Sequence, residues 1–379
     1  MLNISLSEYK NSKIYFQFFD VLLKKIDVKK EDFLLDNDIS PSSYRLSRKV
    51  EQNIGKSIIE KLCCLYGYTM HSDSEIDVIE KKLNSIYYDM YYKIYDNYDN
   101  YEKFIDELLE KNTILFPIIK LFKLFLFCNN QNNTNVDYVI STSIGVFDEI
   151  AIFNKFFNES ISEIYDIIYV VMSDINVRDY LGQTFNNGLL YFGLASKCYH
   201  NKEWLECYYF ASRCRQIMIK EYNFKRLIYI NKHLYHCLFY FKNYNEAYVL
   251  TKNELLMLKS FDPKCYEIVG AYRLHLIACL GLNKYHEIIE IVEDRVNIDL
   301  NDYCMYLVAL HECNIDEYHK TIEDYKNSIS EATNLEDDVL LMHNVLDDYF
   351  NNKNTKRLSS LEHVVLRWIL IILEDRKGW

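Results

Sequence analysis

The string KNYNEA at residues 242–247 decides the fold, because similar strings lie about 40 residues before and after it. NKEW occupies residues 201–204 and NKYHE occupies residues 283–287, so the aromatic residue of each string recurs at spacings of 40 and 41 residues. An apolar segment of helix length precedes each string, and another follows it. A period of this size with two helices in each unit is typical of an α-solenoid.

The strings resemble the start of the second helix of a tetratricopeptide repeat, where an aromatic residue is followed three positions later by a small one. Tyr244 and Ala247 fit this pattern best, and Trp204 with Cys207 is acceptable. The string that contains Tyr285 fits less well. The units are also longer than the roughly 34 residues of the standard repeat. The sequence therefore predicts a tetratricopeptide-like repeat rather than a standard one.

The predicted organisation is all-α, with an N-terminal helix-turn-helix domain at residues 1–68 and a helical-repeat domain at residues 75–379. The clearest repeats lie at residues 185–300. A polar stretch from Gly67 to Glu75 separates the two domains and ends in residues that suit a helix N-cap. Because the chain has only 9 Gly and 3 Pro, we expect helices joined by short polar loops and few turns with positive φ.

The net charge of −12 is unevenly distributed along the chain. Residues 1–70 contain 11 Lys and Arg against 9 Asp and Glu, whereas the remainder is strongly acidic. An acidic body repels nucleic acid, so only the first segment is expected to approach one. The 11 scattered cysteines without a CxxC pair indicate reduced core residues of a cytosolic protein. No apolar run reaches the ~20 residues needed to span a bilayer, so no membrane helix is predicted.

Residues 28–40 read VKKEDFLLDNDIS and match, without a gap, the repressor-type helix-turn-helix pattern LSQEELAxxLGIS. Glu31, Ile39 and Ser40 agree with that pattern, whereas Asp38 occupies the position of its Gly. The turn is still feasible, because Asp tolerates the left-handed conformation better than most residues. Ser40 precedes a proline, which is typical of an N-cap followed by Pro in the first position of the next helix.

A helix-turn-helix crosses the DNA backbone with one helix and inserts the next into the major groove. We therefore expect Ser42, Ser43 and Arg45 to reach base edges, since Arg pairs bidentately with guanine. The neighbouring basic residues and the helix N-terminus suit phosphates. The predicted DNA-binding residues are Lys29, Lys30, Ser40, Ser42, Ser43, Arg45, Arg48 and Lys49. The alternative is a plain helical bundle whose Arg and Lys side chains form a solvated face.

A helix-turn-helix followed by such repeats resembles the RRNPP family of peptide-pheromone receptors (Rap, Rgg, NprR, PlcR and PrgX) and the phage arbitrium receptors. The resemblance implies a dimeric cytosolic regulator that binds a short secreted peptide inside the solenoid and so alters its binding to DNA or protein. Family members often hold the peptide backbone with Asn side chains, whose amides both donate and accept hydrogen bonds. By their position on the first helices of repeats, the candidate peptide-binding residues are Asn187, Arg226, Asn231, Lys232, His236 and Arg273.

The sequence thus predicts a transcriptional regulator that binds double-stranded DNA as a homodimer under the control of a signalling peptide. The alternative is a Rap-like adaptor whose N-terminal helices bind a response regulator or another protein, and no DNA. The chain has no catalytic string, so neither an enzymatic activity nor a cofactor is expected. His233, His236 and Cys237 share a helical face without a fourth ligand, so no metal site is predicted.

Overall fold

The computed structural model describes residues 2–25, 29–49, 54–130, 136–261, 267–295 and 298–328, with short pieces at 342–343, 346–347, 350–351, 369 and 371–373. Within these residues the chain is helical, apart from an isolated bridge between Thr69 and Thr113. This confirms the all-α prediction for the described part of the chain. The chain divides into two compact units, Met1–His233 and Leu234–Trp379. None of the described helices is both long enough and apolar enough to cross a membrane.

The first unit begins with four helices: α1 (Ser12–Lys25), α2 (Lys30–Asp36), α3 (Pro41–Lys49) and α4 (Ile54–Tyr66). It continues with α5 (Asp73–Tyr91), α6 (Tyr98–Glu110), α7 (Phe116–Asn129), α8 (Val136–Ala151), α9 (Glu159–Met172), α10 (Gly188–His200) and α11 (Trp204–Lys220). Helix α12 (Phe224–Tyr240) contains the division between the units. The second unit contains α13 (Tyr244–Phe261), α14 (Glu267–Gly281), α15 (Tyr285–Glu293), α16 (Leu300–Cys313) and α17 (Ile315–Ser328).

Helix α1 lies at the centre of the first four helices, because it packs against α2, α3 and α4. Its apolar residues recur at spacings of three and four and therefore share one face of the helix. Phe16, Phe19 and Leu23 on this face are buried. From α3, Tyr44 meets Phe16 edge-on, with 4.8 Å between the ring centroids. These contacts form a small core shared by all four helices, to which α4 contributes Ile59.

The first four helices pack directly onto the rest of the first unit. Phe18 of α1 is fully buried and stacks on Phe153, with 5.3 Å between the ring centroids. The side chain of Asn84 in α5 makes two hydrogen bonds to the backbone of Ile4. It donates to the Ile4 carbonyl at 2.7 Å and accepts from the Ile4 N–H at 2.8 Å. The predicted boundary between two domains therefore lies inside one compact unit.

Non-glycine residues with positive φ end many of the helices, which corrects the expectation that such turns are rare. Lys202, Lys242 and Asn283 have φ angles of 61°, 57° and 58°, and each lies in a three-residue link between two helices. In each link two N–H groups donate to carbonyls in the last turn of the preceding helix, as in a Schellman motif. These bonds offset the left-handed conformation, which costs about 1 kcal/mol.

These three links overlap the strings that recur in the sequence at spacings of 40 and 41 residues. The first link joins α10 to α11 and the third joins α14 to α15, and the two helices of each of these pairs pack against each other. In the first pair, Trp204 meets Tyr199 edge-on and Cys207 Sγ lies 3.4 Å from the Ala195 carbonyl oxygen. The small residue after the aromatic one therefore allows close packing at this pair, as the sequence pattern requires.

Candidate functional site

Helices α2 and α3 are joined by residues 37–40, and this turn has the geometry that the sequence predicts. Asp38 is left-handed, with φ of 54°. Its N–H donates to the Leu35 carbonyl at 3.0 Å, and the N–H of Ile39 donates to the Leu34 carbonyl at 2.7 Å. Helix α2 thus ends in the same motif as the repeat helices. An Asp at the position of the usual Gly is compatible with the turn.

The start of α3 also agrees with the sequence pattern. Pro41 is the first helical residue, and the Ser43 N–H lies 3.4 Å from Ser40 Oγ. The Ser40 hydroxyl is also 2.6 Å from that of Ser42, so the two share a hydrogen bond. The helix N-terminus presents these three serines on the surface, since all of their side chains are exposed.

The inner face of α3 is fixed by Tyr44, whose ring is buried. The Tyr44 hydroxyl donates to Asp20 Oδ1 at 2.9 Å. Burial, followed by the negative charge of Asp20 and this hydrogen bond, raises the pKa of Tyr44 above its ordinary value. The hydroxyl therefore stays protonated at neutral pH and remains a donor. This contact sets the rotation of α3 about its own axis.

Asp20 in α1 lies at the centre of the contacts between α1, α2 and α3, and the sequence patterns do not reveal it. Besides Tyr44, it binds Lys30 Nζ at 3.0 Å and Arg48 Nη1 at 2.9 Å. The Lys30 ammonium also lies over the Tyr44 ring, 5.1 Å from its centroid. One carboxylate thereby connects α1, α2 and α3. The only signal in the sequence is an acidic residue directly after Phe19 in an apolar run.

The two arginines predicted to bind DNA are both exposed. Arg45 pairs with Glu31 at 3.0 Å, and the two side chains are 70% and 69% exposed. An ion pair this exposed contributes about 0–1 kcal/mol, so a phosphate or a base edge can compete for Arg45. Arg48 is 51% exposed although it pairs with Asp20. Lys29 is exposed at the start of α2, and the side chain of Lys49 lies outside the described residues.

The surface formed by α2 and α3 is less basic than its lysines and arginines alone suggest, because it also carries carboxylates and exposed leucines. Residues 29–49 contain five basic and four acidic side chains, and Asp20 neutralises part of that excess. Leu35 of α2 and Leu46 of α3 are 60% and 57% exposed. The surface is therefore nearly neutral and partly apolar, and its cationic groups concentrate on α3 and the start of α2.

The candidate peptide-binding residues lie in both units. Asn187 is buried and caps the N-terminus of α10, accepting from the Leu189 N–H at 2.8 Å. Its amide nitrogen donates to the Tyr87 hydroxyl at 3.0 Å. Both ends of this side chain therefore bind groups of its own chain. These bonds give Asn187 a structural role in the first unit.

Arg226 is also buried and stabilises the C-terminal end of α5. Its guanidinium donates to the carbonyls of Met90 and Tyr91 at 2.7 and 2.8 Å, and to Asn129 Oδ1 at 2.7 Å. Burial lowers the pKa of Arg226, and the acceptors of these hydrogen bonds are all carbonyl oxygens. Because the last carbonyls of a helix lack partners within the helix, this contact is a cap made by a distant side chain.

The other four candidates have mixed surroundings. Asn231 is buried and accepts from Arg215 Nε at 3.2 Å. The Lys232 ammonium lies 5.2 Å from the centroid of the Tyr229 ring, and His236 is half-buried. In the second unit, Arg273 pairs with Asp299 and lies 3.7 Å from Asp302. Four of the six candidates belong to the first unit and two to the second.

Comparison of the chain with protein-family models, with curated proteins and with solved structures finds no match. The class of protein is therefore defined by its architecture alone. In the described residues it is an all-helical protein in which neighbouring helices pack in pairs.

Proposed function

We propose that the protein is a transcriptional regulator in which α3 binds the major groove of double-stranded DNA. The observation that carries this proposal is the geometry of residues 30–49: a short helix, a left-handed turn at Asp38, and a second helix whose N-terminal half presents exposed side chains on its outer face. The base contacts of a helix-turn-helix come from that half of its second helix. Ser42, Ser43 and Arg45 occupy it here, and all three are exposed.

The inner contacts of α3 favour the same proposal, because a helix that reads bases must be held in one orientation. Tyr44 is buried, and its hydrogen bond to Asp20 ties α3 to α1. Arg45 projects from an exposed face of α3, and Arg48 lies one turn after Tyr44 with half of its side chain exposed. The two arginines suit a guanine edge and a phosphate. The exposed N-terminus of the helix adds a partial positive charge close to Ser42.

The rest of the chain, in this proposal, is a tetratricopeptide-like α-solenoid that binds a short signalling peptide and forms a cytosolic homodimer. Its support is the recurrence of the same turn at Lys202, Lys242 and Asn283. A peptide with higher affinity for one curvature of the repeats would shift the population toward it. That shift would change the distance between the two DNA-binding helices of a dimer, which must match half-sites about 34 Å apart.

A second candidate function is that of a Rap-like adaptor, in which α2 and α3 bind a protein partner. The observation that favours it is the nearly neutral surface with Leu35 and Leu46 exposed. Exposed apolar side chains suit the centre of a protein interface, where charged residues are depleted. The two functions place different partners on the same helices, so one experiment separates them.

The test is selection of genomic DNA fragments by the full-length protein. The test variant combines Arg45→Ala with Arg48→Ala. The control variant combines Lys103→Ala with Lys320→Ala and removes the same charge from exposed sites on α6 and α17. The regulator is supported if the unmodified chain and the control pair enrich the same sequences and the arginine pair does not. Absence of enrichment by the unmodified chain overturns it, and capture of a response regulator through Leu46 then supports the adaptor.

A further inference from the structure

Three side chains of the second unit form a compact set of metal-ligand types that the proposed function does not use. They are His275 and Cys279 of α14 and Glu287 of α15, and their ligand atoms all lie within 4.8 Å of one another. His275 Nε2 is 3.4 Å from Glu287 Oε1. Two bonds of about 2.1 Å at a tetrahedral angle place nitrogen and oxygen ligands about 3.4 Å apart.

The helices explain why these side chains meet. His275 and Cys279 are four residues apart and therefore lie on one face of α14. Helix α14 ends at Gly281, and the left-handed residue Asn283 reverses the chain. Glu287 then lies in the first turn of α15, opposite that face. The link between the helices is only three residues long, so the relative position of the ligands is set locally.

His275 uses one ring nitrogen toward Thr251 and the other, Nε2, toward Glu287. Thr251 Oγ1 lies 2.8 Å from His275 Nδ1, and the same hydroxyl donates to the Ala247 carbonyl at 2.9 Å. When the Thr251 hydrogen is donated to that carbonyl, the Thr251 oxygen accepts from Nδ1–H, and Nε2 is then the ring nitrogen that can bind a metal ion. Burial lowers the pKa of His275, and the hydrogen bond to Glu287 and its negative charge oppose this shift. Without a metal ion, a proton on Nε2 satisfies the Glu287 carboxylate, and a metal ion that binds both side chains takes the place of this proton.

The surrounding groups orient the carboxylate and limit the charge of the site. The Tyr248 hydroxyl lies 2.9 and 3.0 Å from the two oxygens of Glu287 and donates its single hydrogen to this carboxylate. Lys284 Nζ lies 3.7 Å from Oε2, the oxygen that does not face His275. Lys252 Nζ is 3.2 Å from the Tyr248 hydroxyl. These two ammonium groups oppose a second positive charge, so the site requires an anionic ligand besides Glu287.

Cys279 can supply that second anion. Its side chain is fully buried, and burial, together with the charge of Glu287, raises the pKa of its thiol to about 12. A transition metal displaces a thiol proton when it binds, so the thiol enters the site as a thiolate and one proton is released. A sequence motif within one helix does not reveal the three ligands, because Glu287 comes from the next helix.

We propose that His275, Cys279 and Glu287 bind a divalent transition-metal ion of the zinc class, with solvent as the fourth ligand. Nitrogen, sulfur and oxygen donors together suit Zn²⁺ or Co²⁺ and not Mg²⁺ or Ca²⁺. The fourth position lies toward Glu287, whose side chain is 27% exposed, whereas the side chain of His275 is only 3% exposed. Second-sphere hydrogen bonds from Thr251 and Tyr248 complete the site. The inference is independent of the proposed function.

The test is titration of the full-length, metal-free protein with Co²⁺ alone, followed by optical absorption. A thiolate ligand gives a charge-transfer band in the near ultraviolet, and we expect one Co²⁺ per chain. Cys279→Ser removes that band, and Glu287→Gln, which keeps a hydrogen-bond acceptor for Tyr248, raises Kd at least tenfold. The matched control is Cys313→Ser, because Cys313 is exposed and lies 4.0 Å from His286. Circular dichroism checks that each variant is folded.

The inference is overturned if the protein takes up no stoichiometric Co²⁺, if Cys279→Ser keeps the band, or if Cys313→Ser alone abolishes it. Should Cys279→Ser fail to fold, Glu287→Gln decides the question, since an unchanged Kd contradicts the site. None of these outcomes depends on DNA or peptide binding.

Discussion

At the scale of single residues, the carboxylate of Asp20 orders the helices of the candidate DNA-binding surface. It binds Lys30, Tyr44 and Arg48, which belong to α2 and α3. The side chain of Asp20 is only 21% exposed, so its charge-assisted hydrogen bonds are less screened than those of a surface pair. The same carboxylate neutralises two cations on a surface proposed to bind phosphate. Asp20 therefore stabilises the fold and weakens the proposed DNA binding.

We predict that Asp20→Asn has opposite effects on stability and on DNA affinity. The free energy of unfolding falls by about 1–2 kcal/mol, because an amide no longer neutralises Lys30 and Arg48. DNA affinity rises severalfold, and the dependence on salt becomes steeper by about one to two phosphates. Urea titration and fluorescence anisotropy measure the two effects. Asp77→Asn is the control, since it makes the same charge change in an exposed pair with Lys10; a loss of DNA affinity in folded Asp20→Asn contradicts the account.

A pair of glycines on one helix provides a second prediction at this scale. A Cβ on Gly281 would clash with the ring of Tyr244, whereas nothing lies within 4 Å of a Cβ on Gly270. Gly281→Ala therefore lowers the free energy of unfolding by about 1–3 kcal/mol through overpacking. Gly270→Ala raises it by about 0.5–1 kcal/mol, because Ala favours the helix. Equal effects of the two substitutions in urea titrations would refute close packing of Tyr244 against α14.

At the scale of elements, the turn between α2 and α3 depends on one left-handed residue. Asp38 has a positive φ without the freedom of glycine. Asp38→Gly therefore raises the free energy of unfolding by about 0.5–1 kcal/mol, since the backbone is no longer strained. Asp36→Gly serves as the control, because Asp36 lies within α2 and Gly there costs up to about 1 kcal/mol. A destabilised Asp38→Gly variant would show that the Asp38 side chain, and not its backbone, maintains the turn.

The sequence predicts the elements better than it predicts the contacts between them. The string around Ser40 and Pro41 places the start of α3 correctly, because caps and turns depend on adjacent residues. The recurring strings likewise mark the links between helices. Their composition does not reveal that Lys202 and Lys242 adopt positive φ, since the bonds that stabilise this conformation form only in the folded turn.

Long-range partners explain what the sequence patterns leave out. Arg226 was a candidate for peptide binding because it is a polar residue on the first helix of a repeat. In the fold it binds the carbonyl of Met90, 136 residues earlier in the chain. The set of His275, Cys279 and Glu287 is invisible for a related reason, as it needs the reversal between α14 and α15. No local pattern encodes which distant group satisfies a buried donor.

At the scale of the whole molecule, the distribution of charge limits how the protein can bind DNA. The net charge is −12, and the excess of basic residues is confined to the first 70. We therefore predict a moderate dependence of DNA affinity on salt. The logarithm of the binding constant falls with log[salt] with a slope of about −3 to −4 for each bound helix-turn-helix, as expected for about four phosphate contacts. Affinity measured between 50 and 200 mM KCl, on the order of physiological salt, checks this. A slope near zero would indicate that apolar contacts dominate, as in the adaptor.

The most direct measurement is the affinity of the full-length protein for its selected DNA site, with and without Arg45→Ala and Arg48→Ala. The account predicts that the double variant loses at least about tenfold in affinity, because a base contact and a phosphate contact disappear. Its circular dichroism stays unchanged and its thermal unfolding temperature falls only slightly, because Asp20 keeps Lys30 and Tyr44 as partners. The Lys103→Ala and Lys320→Ala control keeps full affinity. An unchanged affinity of the folded double variant would contradict the claim that α3 enters the major groove.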